Sequence, residues 1–209
     1  MHNSISRRHY LSLIAAGAGT LLLPSGSIAK ATISAEHAAS VRSLGSADAK
    51  LVIAEFFSMT CGHCGRFHKQ TFPKVKSELI DTGKVRFELH PFPLDGLALR
   101  AHALCRALPE PAYFAMVDTL LADQNKWIST EDPVDALRGY ARLAGISSRE
   151  FDEIMSDRPF LEAIYQLRQD ATKEFAIEST PSFLVNRTHK FSGALSYDDF
   201  LKELESFSI

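Results

Sequence analysis

The sequence predicts an α/β fold carrying a large helical insertion, and three observations predict it. A short apolar run, Leu51 to Phe57, has the Val, Ile and Phe content of a buried central strand. A helical segment follows it directly, then a second strand candidate at Lys84 to Leu89, and strand character next returns after Thr180-Pro181. Between them lie about 80 residues of almost unbroken helical pattern, where a crossover between parallel strands needs only about a dozen.

The first 31 residues differ from the rest. They contain Arg7, Arg8 and Lys30 and no acidic residue, with an apolar stretch from Leu11 to Leu23 and small residues from Ser25 to Ala31. This is the three-part plan of an export signal, with a candidate cleavage site at Ala29-Lys30-Ala31. Ser6-Arg7-Arg8-His9-Tyr10-Leu11 resembles a twin-arginine signal, and an ordinary secretory signal is the alternative. A retained membrane anchor is the alternative to export, since the apolar run is short of a full span but not far from one. The expected division is therefore a signal peptide over 1–31, an α/β domain over 32–94 and 178–209, and the helical subdomain over 95–177.

Residues 32–46 read as a polar leader, with turns marked by Gly45 and Asp48. After the strand at Leu51 to Phe57, residues 62–81 read as a helix with Phe67, Thr71, Val75 and Leu79 on one face. Pro73 should kink it, because proline removes a backbone donor in mid-helix. Gly83 stops it and Lys84 to Leu89 forms the next strand. Helices are expected over 95–108, 111–124, 132–144, 148–156 and 159–177. Gly145 ends one of them, and Ser147 with Glu150 makes a capping box that opens the next. Strands over Ser182 to Val185 and His189 to Ser192 flank a turn at Asn186 to Thr188. A last helix opens at Ser196.

Composition narrows the function. A formal charge of −2 in 209 residues gives no basic stripe for nucleic acid. Three cysteines are too few for a disulfide scaffold. Two of them, Cys61 and Cys64, lie between a buried strand and a helix start. Unpaired N–H groups and the helix dipole there favour a thiolate, lowering a cysteine pKa from about 8.5 to between about 3.5 and 7.5. Cys61 is the expected nucleophile and Cys64, one turn inward, the shielded resolving thiol. His63, when protonated, would help to stabilise the Cys61 thiolate. Inert structural cysteines are one alternative reading. A metal site is another, with Cys61, Cys64, His68 and His63 as donors, but a closed zinc site draws on two chain segments and no second Cys/His cluster exists.

Glu55 shares a strand face with Ile53 and Phe57 in a run otherwise free of charge. A carboxylate buried there can carry protons to and from Cys64; on an edge strand it would simply meet water. Cys105, beside Leu104 and Ala107, reads as a small core residue. His90, His102 and His189 read as exposed or hydrogen-bonded structural histidines. Trp127, Phe114 and Tyr113 read as core of the helical block.

The run from Val52 to Cys64, followed by Phe67-His68, resembles the active-site segment of bacterial DsbA-like proteins. Phe92-Pro93-Leu94-Asp95, Thr180-Pro181-Ser182-Phe183, Val185-Asn186 and Phe191-Ser192-Gly193-Ala194 resemble further segments of that family, over roughly residues 44–205. The resemblance implies a thioredoxin fold with an inserted all-helical subdomain, a cis Pro181, and Thr180 beside the cysteine pair. It also implies that Gly62, Thr180 and Pro181 meet the substrate, and that Glu55 is the family's buried acid. Two features depart from the family pattern. Many members have Pro-His between the cysteines, whereas Gly62-His63 is the pair of eukaryotic protein disulfide isomerases. That leaves a potential near about −180 mV open beside the about −120 mV of a strong oxidant. Cys105 also lacks the partner with which some relatives form a second bridge.

The expected function is a periplasmic, monomeric dithiol oxidase needing neither cofactor nor metal. It would act on unfolded or reduced exported polypeptides and be recycled by a membrane-bound redox protein. The same scaffold could run as a reductase or isomerase, although no dimerisation segment is visible. A metal carrier or a peptide-binding chaperone is the non-enzymatic alternative.

Overall fold

A computed structural model describes residues 32–207; the expected export signal lies outside them. Strand β2 (Leu51–Phe57) matches the apolar run residue for residue, with every position but Val52 buried. It is buried because it is the central strand. Five strands are ordered β1-β3-β2-β4-β5. Parallel β3 (Val85–Pro91) lies on one side of β2, and antiparallel β4 (Ser182–Val185) on the other. Strand β5 (His189–Ser192) completes a hairpin with β4. Its turn places Asn186 and Arg187 at positive φ.

Two short elements occupy what reads in the sequence as a featureless leader. Helix α1 (Ala35–Ala39) is capped by Ser34, and β1 (Ser43–Leu44) pairs with Glu88 and Phe87 of β3. Neither is long enough to show a period, so tertiary contact decides them. Strand β3 runs two residues further than its pattern suggests. Because β1 pairing ends at Glu88, Pro91 faces no β1 neighbour that would need its missing N–H.

The expected kinked helix is broken more completely. Helix α2 (Gly62–Gln70) ends at Thr71, α3 (Phe72–Val75) restarts with Pro73 in its first turn, and a π turn covers Lys76–Ile80. In a first turn proline removes no needed donor, so the chain restarts there instead of bending. Phe67, Thr71, Val75 and Leu79 still all point inward.

Between β3 and β4 run α4 (Gly96–Arg106), α5 (Glu110–Ala122), α6 (Gln124–Ile128), α7 (Pro133–Leu143), α8 (Ser148–Ser156) and α9 (Arg158–Phe175). The helix expected over 111–124 stops where α6 begins, and α6 itself has no counterpart in the sequence pattern. The Ser147–Glu150 capping box is formed at the start of α8. Helix α10 (Tyr197–Leu204), capped by Ser196, closes the described fold with a 3-10 turn over Glu205–Phe207.

The main core joins the sheet to the helical block. On one sheet face Phe67, Phe183, Phe191 and Phe200 pack ring against ring, with Phe67 and Phe183 centroids 4.7 Å apart. Each such buried side chain contributes about 1.5–3 kcal/mol. Trp127, Leu137, Phe151, Ile154 and Phe160 extend the same cluster into the helices. A smaller cluster of Ala54, Phe56, Phe92, Ala171, Ile177 and Leu184 covers the opposite sheet face. Cys105 is fully buried, and burial raises its thiol pKa above the ordinary range. His102 is fully buried beside the Phe57 ring, and burial with the Arg106 charge pushes its pKa down to about 3 against a hydrogen bond to the Phe57 backbone.

Candidate active site

Strand β2 delivers the chain to the site and α2 opens it. Cys61 is the N-cap residue of α2, in extended conformation, and its carbonyl accepts the Gly65 N–H at 3.1 Å. Its thiol lies half-buried, 3.3 Å from the Thr180 carbonyl oxygen. The Thr180-Pro181 bond is cis. All three cysteines are free thiols.

The two active-site thiols have opposite environments. Cys61 is pulled down from about 9 to about 5, first by a hydrogen bond from the Cys64 thiol. Thr180 and the backbone N–H groups of Cys64 and His63 add to that effect, while burial opposes it. Cys64 is fully buried, and its pKa is driven far above the ordinary thiol range by burial, by Cys61 and by the Glu55 charge. This is the asymmetry that a helix start creates when one cysteine caps it and the next sits a turn inside.

His63 plays a different part from the one expected of it. Its ring is exposed, with Nδ1 against the Arg66 guanidinium. What it offers Cys61 is its backbone N–H, and Gly62 beside it is equally exposed. Glu55 is fully buried in the middle of the sheet, opposite Leu89 on β3 and Phe183 on β4. Its Oε2 lies 3.0 Å from His68 Nε2, while Oε1 has no partner. His68 is thereby engaged with a carboxylate on a neighbouring strand. Among the described residues no group of three His, Cys, Asp or Glu side chains is arranged to hold a metal.

Two supports come from residues to which sequence reasoning gave no role at the site. Gln124, at the start of α6, donates from Nε2 to the carbonyls of both Met59 and Cys61, each at 2.9 Å. Its side chain lies so close over α2 that a Cβ at Gly65 would collide with it, which explains the glycine. Asp95, the N-cap of α4, accepts from Thr60 Oγ1 at 2.7 Å and from the Ala98 N–H. The first bond ties the loop before Cys61 to the helical block, and the second caps α4. Asp95 carries a sequence signal, being a cap residue before a helical run. Gln124 carries none, because its partners are 63 and 65 residues away.

A strand running into a helix capped by one cysteine of a Cys-x-x-Cys pair, and faced by a cis-proline loop, defines the class of thioredoxin-fold dithiol proteins. Residues 38–206 match the family model described as thioredoxin, and the chain belongs to that family as a DsbA-like member. A Rickettsia bellii protein, provisionally named a protein-disulfide oxidoreductase, is 32% identical over 144 residues, covering 68% of this chain and 56% of that protein. The chain spans about half the length of the Rickettsia relatives that it matches. The crystal structure of Wolbachia pipientis alpha-DsbA1 is 25% identical, with a TM-score of 0.72 over 80% of this chain and 90% of that one. A protein-disulfide isomerase from Novosphingobium aromaticivorans shares the fold at 20% identity, with a TM-score of 0.71 over 80% of this chain and 96% of that one.

Proposed function

We propose that the protein is an exported thiol–disulfide oxidoreductase, acting as a dithiol oxidase on reduced or unfolded polypeptides in the periplasm. The observation that carries this reading is the paired asymmetry at Cys61 and Cys64: a stabilised thiolate at the surface and a shielded thiol behind it. In the oxidising direction a substrate thiolate attacks Cys61 of the Cys61–Cys64 disulfide. Cys64 leaves as thiolate and takes a proton, and a second substrate thiol then attacks its partner sulfur and releases Cys61. Because Cys61 is stabilised as a thiolate, it is a good leaving group, and the reduced form of the protein is favoured. Both effects drive disulfides into substrates.

Thr180, whose carbonyl lies against the Cys61 thiol, would meet the substrate backbone together with Pro181 and Gly62. Glu55 would accept or supply the Cys64 proton. Export rests on the composition of residues 1–31, and recycling would need a membrane-bound redox partner. Division into an α/β domain over 32–94 and 178–209 with a helical subdomain over 95–177 follows the order of the elements.

Gly62 supports a second reading, an isomerase or reductase on the same scaffold, because Gly-His between the cysteines belongs to isomerases in the wider superfamily. Two measurements decide between them. Equilibration with glutathione buffers gives the Cys61/Cys64 potential, and thiol trapping in intact cells gives the working redox state. An oxidase is expected to be found mostly as the disulfide; a pool found mostly reduced would overturn the oxidase reading.

A further inference from the structure

A proton leaving Cys64 enters a part of the protein that water does not reach. Cys64 and Glu55 are both fully buried, and a net charge created there would be costly. Glu55 Oε1 has no hydrogen-bond partner, and the Glu55 charge acts on Cys64 across the core, so the carboxylate is the group placed to receive that proton. On the other side of the carboxylate, Oε2 faces His68 Nε2 at 3.0 Å. The far nitrogen of the same ring, Nδ1, lies 3.4 Å from Asp118 Oδ1 on α5, and the Asp118 side chain is 58% exposed. Phe57, Phe67 and Phe72 pack around the imidazole and fix its plane. His68 and Asp118 also line a surface depression of about 310 Å³, together with Lys69, Phe72 and Lys76. The row Glu55, His68, Asp118 thus runs from the sheet interior to solvent.

We propose that His68 and Asp118 are positioning residues that connect Glu55 to solvent and let the buried site exchange one proton for each thiol–disulfide step. The inference rests on reading Cys61 and Cys64 as an exchange dithiol. When Cys64 resolves a mixed disulfide, its sulfur bonds to Cys61 Sγ. The Cys61–substrate S–S bond breaks, and its electron pair leaves with the substrate thiolate. The Cys64 proton passes to Glu55 Oε1. Neutralising that carboxylate would strand a buried imidazolium, so His68 releases a different proton from Nδ1 to Asp118 and on to water. The Nε2–H stays directed at Oε2 throughout, and the confined ring need not turn. In the reverse step Cys64 leaves as thiolate and recovers the Glu55 proton, and His68 is recharged through Asp118. Glu55 and His68 together carry no net charge in either state.

The charge state of His68 agrees with this role. Burial alone would lower its pKa, but the Glu55 and Asp118 carboxylates outweigh burial and raise it to about 9. The other ionisable groups nearby are Lys69 on α2, Lys76 beyond α3, Cys64 itself, and Tyr113 of α5, which lies within electrostatic reach of Glu55. The two lysines border the same depression as His68 and Asp118; neither is bonded to His68.

The test uses the reduced protein and the aromatic disulfide 5,5′-dithiobis(2-nitrobenzoate). One thionitrobenzoate is released when Cys61 attacks and a second when Cys64 resolves, so stopped-flow absorbance separates the two steps. Between pH 5 and 9, Asp118→Asn is expected to slow the second phase relative to the first by roughly tenfold and to flatten its pH dependence. This is smaller than the about 10²–10⁴-fold effect of a direct acid–base group, since water can take part of the exposed carboxylate's role. Asp118→Glu should restore both rate and profile, and His68→Gln should slow the second phase further. A second phase unchanged in rate and pH profile in Asp118→Asn would overturn the exit. A wild-type protein that releases no thionitrobenzoate from Cys61 would instead overturn the oxidoreductase reading. Because Asp118 is exposed, its variants report even if His68→Gln does not fold.

Discussion

The Cys61 environment makes a prediction that can be worked through quantitatively. Alkylating agents react with the thiolate, so the rate of Cys61 modification follows its ionised fraction. A thiol at its ordinary value of 9 is about 1% ionised at pH 7, whereas one at about 5 is about 99% ionised. Iodoacetamide labelling of reduced protein should therefore already be at its plateau at pH 7. On acidification the rate should fall with a midpoint near 5.

The contributors can be separated by substitution. The Cys64 thiol contributes most to lowering Cys61. A hydrogen bond to a charged group is worth about 1.5–3 kcal/mol, and solvent around the half-exposed sulfur reduces this toward the lower end or below. At about 1.36 kcal/mol per pH unit, Cys64→Ala should raise the midpoint by about one unit. Cys64→Ser keeps a donor and should fall between the two. A wild-type midpoint above about 8, or no difference between Cys64→Ala and wild type, would refute the reasoning.

Other consequences follow from the same structure. Because Cys61 has a depressed pKa, its contribution to stability is full above the unfolded value near 9 and is lost as pH falls through about 5. Urea unfolding of reduced and oxidised protein should thus show the reduced form gaining relative stability from pH 5 to 9; a flat difference would contradict it. Gln124→Leu leaves the Met59 carbonyl without this donor, while the Cys61 carbonyl keeps the Gly65 N–H, so a loss of about 1–3 kcal/mol is expected in chemical denaturation. Mass spectrometry after mild alkylation at pH 8 should find Cys61 modified and Cys105 untouched until the chain is unfolded, and early labelling of Cys105 would show that its helix opens.

The parts of this molecule legible in its sequence are those with a local physical signature. Strand β2 declares itself because a central strand must be apolar on both faces, and β4 and β5 because their turn separates them. The capping box at Ser147 and Glu150 needs only residues three apart. The cysteines are legible because strand, dithiol and helix start are contiguous. Elements fixed by distant contact are not: β1 is two residues long and exists because β3 offers an edge, and α1 is one short turn capped by Ser34. The cis state of Pro181 was reachable only through family resemblance, since nothing local to Thr180-Pro181 demands it.

The same distinction explains why the helical block looks in sequence like an addition to the site and in structure like part of it. Glu55, Cys61, Cys64 and His68 all lie within one stretch of β2 and α2, and their chemistry can be inferred together. Their supports lie elsewhere. Gln124 holds the loop carbonyls from α6, Asp95 anchors Thr60 from the start of α4, and Asp118 reaches His68 from α5. Asp95 declares itself in the sequence only as a helix cap, and Gln124 and Asp118 are polar residues of ordinary type with no local sign of a site. Their roles appear only when the block folds back over α2 and brings them toward the dithiol. A thioredoxin-type sheet with its Cys-x-x-Cys helix supplies the reacting sulfurs. The insertion supplies the groups that hold the loop before Cys61 in place and, on the proton route proposed above, the connection from Glu55 to water. The residue most exposed to that argument is Asp118, because it lies on the surface, far from the sulfurs in sequence, and has little else to do there.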